Sequence, residues 1–346
     1  MRVDPTLAAV ASCLRCEGFP VRTGLFCTYE NPQKDYRSAY AEQTELVEFV
    51  EALGFDEAWV AEHHFNAAAS SSSPFPILAH LATRTSRIRL GSAAVLLPFH
   101  DPITVAEDVA TIDILSNGRF DFGFAKGGPF PVQNKHFHVS PDDTRAKTWE
   151  ALMLIQRLLS EDREVSFEGA FFKADGVELI PKPLQRPVPT FFATSTADTV
   201  QLAAEHGLGI MAAPPFPLAR VRQSVQLYRE TAPETDPRLV LIRFLHLAPS
   251  RDQAIAEAKV FLQPFIERMQ ITTARMQPDW TPWMVLEPMI ADSLIGSEAD
   301  VCAKIDLIRQ EINPRSLILK PLSPQFYKRK QDVRVFAEKI RAAVAA

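Results

Sequence analysis

From Thr23 onward, short apolar runs alternate with stretches whose apolar residues recur every three or four positions, the pattern of βα units around a parallel sheet. Strands are predicted over 23–28, 57–61, 88–96, 119–125, 188–194, 209–213, 239–247 and 316–320. The run 88–96 is nearly all apolar or small, as a strand covered on both faces should be. In 119–125, Phe120, Phe122 and Phe124 fall on one face and Asp121, Gly123 and Ala125 on the other.

Helices fit between the strands. The first, 38–53, carries Leu46, Val47, Val50 and Leu53 on one stripe and stops at Gly54, where a C-terminal cap belongs. Others are predicted from Pro74 to near Thr85, over 102–115, about 142–159, 198–206, 218–231, 251–270 and 298–311, and from about 325 to 345. Ser116-Asn117-Gly118 reads as a turn, and 164–178, centred on Gly169, as a hairpin insertion. Residues 271–295, rich in Trp, Met and Pro, break the alternation and read as an insertion over the mouth of the fold. Eight βα units predict an α/β fold, a closed (β/α)8 TIM barrel with insertions, as one domain over 21–346 behind a variable extension, 1–20.

Composition narrows the classes. Forty-seven per cent of the 346 residues are hydrophobic, ample for one large core. Thirty-seven basic and forty-two acidic residues give a formal charge of −5 without a basic run, so neither nucleic acid nor an anionic membrane is an expected partner. No membrane span or secretory leader is read, and the expected location is cytoplasmic. Cys13, Cys16, Cys27 and Cys302 make no disulfide framework, and the single Cys13-Leu14-Arg15-Cys16 motif lacks a second pair.

In such barrels the site lies at the C-terminal ends of the strands. Those ends are polar here: Glu62-His63-His64, His100-Asp101, Lys126-Gly127-Gly128 and Ser195-Thr196. Adjacent histidines on a strand point to opposite faces and are poorly placed to share an ion, so no metal is expected. A single inward histidine suits proton transfer. Ser195-Thr196-Ala197-Asp198-Thr199, between a strand and a helix, fits an anion pocket for phosphate, with Lys126, Gly127 and Arg145 able to complete it. An ordinary capping box, Ser195 with Asp198, explains the same local pattern. No GxGxxG follows a strand, so a dinucleotide domain is not indicated.

Several runs together resemble the bacterial luciferase-like flavin monooxygenases: Trp59 to Phe65, Gly91 to Pro98, Ala106-Glu107-Asp108, Ser116 to Phe120, Ala193 to Thr196 and Ala203 to Gly207. The resemblance runs from about Thr23 to the C-terminus. It implies an enzyme that binds reduced FMN (FMNH2) delivered by a separate flavin reductase, forms a C4a-(hydro)peroxyflavin with O2 and oxidises a small organic substrate. It also implies a homodimer. His63 falls at the family's active-site histidine, with Glu62 beside it at the flavin. Ala93-Ala94 matches the family's non-proline cis peptide beneath the isoalloxazine ring. Lys126, Arg145, Ser195, Thr196 and Thr199 are implied to hold the FMN phosphate, Lys126 standing where luciferases have arginine. Two alternatives remain: an F420-dependent oxidoreductase on the same barrel, and a flavin-binding paralogue without activity.

Overall fold

The computed structural model describes residues 21–128, 131–276 and 278–341; the extension 1–20 and its Cys13/Cys16 pair lie outside them. The chain forms two compact units, one from residues 21–26, 45–57 and 194–341, the other from 27–44 and 58–193. Both are built on parallel α/β structure, and the second also carries a separate two-stranded antiparallel sheet.

The strands in chain order are β1 Arg22–Cys27, β2 Glu57–Val60, β3 Arg89–Ser92, β4 Val95–Leu96, β5 Phe120–Ala125, β6 Val165–Glu168, β7 Lys173–Val177, β8 Thr190–Ala193, β9 Gly209–Ala212, β10 Val240–Leu247, β11 Leu294–Gly296 and β12 Ser316–Pro321. The single run expected over 88–96 is divided into β3 and β4, and the Ala93-Ala94 peptide between them is cis. The expected hairpin is the antiparallel pair β6–β7.

In the second unit the order is β2, β3, β5, β8, with β4 also on β5. Trp59 on β2 is fully buried and meets Phe191 edge-on at 5.4 Å. Phe124 stacks on Phe192 at 4.6 Å, a pair worth about 1 kcal/mol beyond its buried area. The Pro102–Leu115 helix starts where Asp101 accepts hydrogen bonds from the Ile103 and Thr104 N–H groups. It ends in the predicted turn, with Asn117 and Gly118 at φ of 56° and 76°.

The segment after β7 is docked by a buried carboxylate. Asp113, fully buried, accepts from Gln185 N at 2.8 Å and Gln185 Nε2 at 2.7 Å. Gln185 Oε1 accepts from Arg89 Nη2, which also forks onto Asp121. Asp113→Ala strands the Gln185 backbone N–H and leaves Nε2 only its bond to Phe120 O, so urea denaturation should show a loss of about 2–3 kcal/mol. A loss within about 0.5 kcal/mol would rule out this anchoring role.

In the first unit the order is β11, β10, β12, β1, with β9 also on β10. The insertion expected over 271–295 needs correcting. The helix begun at Arg251 runs to Met276 rather than 270, and β11 pairs in parallel with β10, Leu245 opposite Leu294. That segment therefore returns a strand to the sheet. The last helix, Phe326–Val335, passes into a π-helical turn, Phe336–Ile340. Among the described residues no helix is long and apolar enough to cross a membrane.

Candidate active site

Glu62 lies just beyond β2, and its side chain is fully buried. One carboxylate oxygen meets His64 Nε2 at 2.6 Å and His100 Nε2 at 2.8 Å. The other accepts the Leu96 N–H at 2.9 Å. With the carboxylate ionised, both imidazoles donate from Nε2, which fixes the proton position on each ring.

Local geometry explains the convergence. Glu62 and His64 are two residues apart, and the 3-10 turn Leu97–Phe99 delivers His100. Burial alone would raise the Glu62 carboxyl, but the hydrogen bonds from His100 and His64 outweigh it and hold it below the usual range. Burial works against the charged His100 ring, yet the Glu62 carboxylate raises it above an ordinary histidine.

Aromatic rings collar the imidazoles. Phe137 meets His64 edge-on at 4.7 Å and stacks on Phe99 at 5.1 Å. Phe65, 64% exposed, lies 5.5 Å from His136. His136 and Phe137 come from the Pro131–His136 helix and its end, an element that the βα alternation did not predict.

His63 is not part of this carboxylate pair; its backbone N–H bonds Ser71 O at 3.0 Å. Of the residues that the resemblance singled out, Glu62 belongs to this cluster, and its partners His64 and His100 were not among them. The i, i+2 spacing of Glu62 and His64 was the available signal.

In the same unit, Ala93 and Ala94 join β3 to β4. Lys126 and Gly127 follow β5, and Arg145 lies in the first turn of the Thr144–Ser160 helix. Burial pushes the Lys126 ammonium down, and the neighbouring Arg145 charge adds to it. Among the described residues Lys126 has no hydrogen-bond or ion-pair partner. Gly127 takes a φ of 87°, which favours glycine.

The first unit holds Ser195, Thr196 and Thr199. The Ser195–Asp198 capping box weighed from sequence does not form. Thr196 is the N-cap of the Ala197–Glu205 helix, and no side chain caps it. Instead the Thr194 and Thr196 hydroxyls both meet Thr199 Oγ1, the latter at 2.6 Å, and Thr199 donates to Thr196 O at 3.0 Å. Thr194, in the Ala193–Thr196 run that carries the family resemblance, is thus part of the same hydroxyl cluster.

A family model described as luciferase-like monooxygenase matches residues 21–312. The 4-hydroxyprotoasukamycin monooxygenase of Streptomyces nodosus subsp. asukaensis is 33% identical over 226 residues, 61% of this chain and 60% of that protein. The chain spans about three fifths of the length of the curated relatives it matches. The crystal structure of monooxygenase RslO1 from Streptomyces bottropensis superposes with a TM-score of 0.79 at 28% identity, covering 92% of this chain and 98% of that one. Two further solved structures share the fold alone. One is the oxygenating constituent of 3,6-diketocamphane monooxygenase of Pseudomonas putida with FMN, at TM-score 0.77, 15% identity and coverage of 94% and 99%. The other is an F420-dependent secondary alcohol dehydrogenase, at TM-score 0.76, 19% identity and coverage of 95% and 100%. The fold is the closed eight-stranded parallel α/β barrel predicted from the alternation, and the chain belongs to the luciferase-like monooxygenase family.

Proposed function

We propose that the chain is the oxygenase component of a two-component system, an FMNH2-dependent monooxygenase that takes reduced flavin from a separate reductase and oxidises a small organic substrate with O2. The observation that carries this reading is the buried Glu62 carboxylate holding two imidazole Nε2 protons at the end of β2. Proton placement of this kind is what an oxygen-transfer site needs from its protein.

The residues fit the phosphate end of FMN. Lys126 and Arg145 are close enough for one charge to depress the other, and a phosphate dianion relieves that repulsion. In this reading Ser195, Thr196 and Thr199 act as hydroxyl donors toward phosphate, and Ala93-Ala94 as the backbone beneath the flavin ring. Bound reduced FMN supplies the electrons that activate O2. In this reading His63 moves a proton at the reacting centre, and Glu62 holds protons on His64 and His100.

The likeness to an F420 enzyme supports a second reading, a deazaflavin oxidoreductase. Fluorescence titration separates the two. Reduced FMN should bind tighter than F420, and Lys126→Ala should weaken FMN about tenfold, the loss of one charge-assisted contact. A clear preference for F420 would reverse the choice.

A further inference from the structure

We propose that Glu62, His64 and His100 together form a binding site for one divalent transition-metal ion of the zinc or cobalt class. Their ligand atoms lie within 4.8 Å of one another, and both imidazoles aim Nε2 at the same carboxylate oxygen. Two nitrogens and one carboxylate oxygen select a zinc-like ion over magnesium or calcium, and three protein ligands leave a position for water.

The ion takes the place of the two hydrogen-bonded protons. A neutral ring moves its proton from Nε2 to Nδ1 and offers the freed lone pair; a charged ring releases one proton to solvent. Ligand atoms about 2.0–2.2 Å from a tetrahedral ion stand roughly 3.3 Å apart. The nitrogens now lie 2.6 and 2.8 Å from the carboxylate oxygen, so His64 backs away by about 0.7 Å and His100 by about 0.5 Å.

The surroundings favour that small shift over collapse. The Leu96 N–H orients the carboxylate through its second oxygen, as an outer-shell partner does. Phe137 flanks His64, and Phe75 lies edge-on to His100 at 6.5 Å. The His64 and His100 side chains are 12% and 28% exposed, so an ion reaches them from solvent. The adjacent pair His63 and His64 is not used; His64 is joined instead by His100. Under the proposed function, an ion held here withdraws both nitrogens from proton handling and silences turnover until a chelator removes it.

The test is titration of the flavin-free full chain with cobalt chloride, followed by visible absorption, and with zinc chloride by calorimetry. One equivalent should bind, with ligand-field bands of four-coordinate cobalt. His64→Ala and His100→Gln should each weaken binding at least tenfold, while His80→Ala, on an exposed helix face, should not change it. X-ray absorption of the zinc-loaded wild type should count two imidazoles, a readout that needs no variant to fold. Weak binding at several sites, indifference to His64→Ala and His100→Gln in folded protein, or fewer than two imidazoles would each overturn the site. No flavin is present in these measurements, so their failure leaves the flavin reading standing, and failure of flavin binding leaves the metal result standing.

Discussion

Glu62→Gln is expected to speed the reoxidation of bound reduced FMN by about a hundredfold, toward the rate of free FMN, while flavin affinity changes by less than about threefold. The substitution keeps the side chain's shape and removes its charge. In the parent, one ionised oxygen holds the Nε2 protons of His64 and His100 at 2.6 and 2.8 Å. Hydrogen bonds to an ionised acceptor are roughly twice as strong as neutral ones, so the amide loosens both rings together. An active site that must deliver a proton late then delivers it early, and the oxidising equivalents are lost to solvent. Rapid mixing of each reduced complex with oxygenated buffer, followed by flavin absorbance, reads the effect. His63→Ala is the companion variant: an unchanged time course there would remove His63 from the proton path. Unchanged kinetics in Glu62→Gln would reduce the carboxylate pair to a structural clasp.

Gly91→Ala is expected to cost at least about 3 kcal/mol and to leave most of the protein insoluble. A Cβ at Gly91 would lie 2.2 Å from Trp59 Cε3 and 2.5 Å from Cδ2. Trp59 is fully buried and fixed against Phe191, so the indole cannot swing clear. Gly207→Ala is the control, because its Cβ meets nothing within 4 Å and only its φ of +62° is unfavourable. That change should cost about 1 kcal/mol. Adding Trp59→Leu to Gly91→Ala should recover part of the loss in a double-mutant cycle of urea midpoints. Strict additivity of the two changes would show that the clash is not the cause.

The parts that were legible in the sequence are those specified by neighbours in the chain. The helices Pro102–Leu115, Leu218–Thr231 and Glu298–Glu311 match their expected bounds. The first is fixed by Asp101 and Pro102, and the last by the Ser297–Asp300 capping box. What was not legible depends on residues far apart or on very short elements. Glu62 and His100 are 38 positions apart, and no periodicity links them. β11 has three residues inside a Trp- and Met-rich stretch, and its partner β10 alone makes it a strand. At the Ala197–Glu205 helix, Thr196 occupies the N-cap, so the local Ser195–Asp198 pattern gave way to a threonine cluster.

The most direct test of the account is the oxygen reaction of the wild-type complex itself. The protein loaded with reduced FMN is mixed with oxygenated buffer in a stopped-flow instrument, and flavin absorbance is followed beside a protein-free control. The account predicts that bound flavin returns to its oxidised spectrum about a hundredfold more slowly than free flavin, in more than one phase. A single phase at the rate of the control, with flavin shown to be bound, would contradict it.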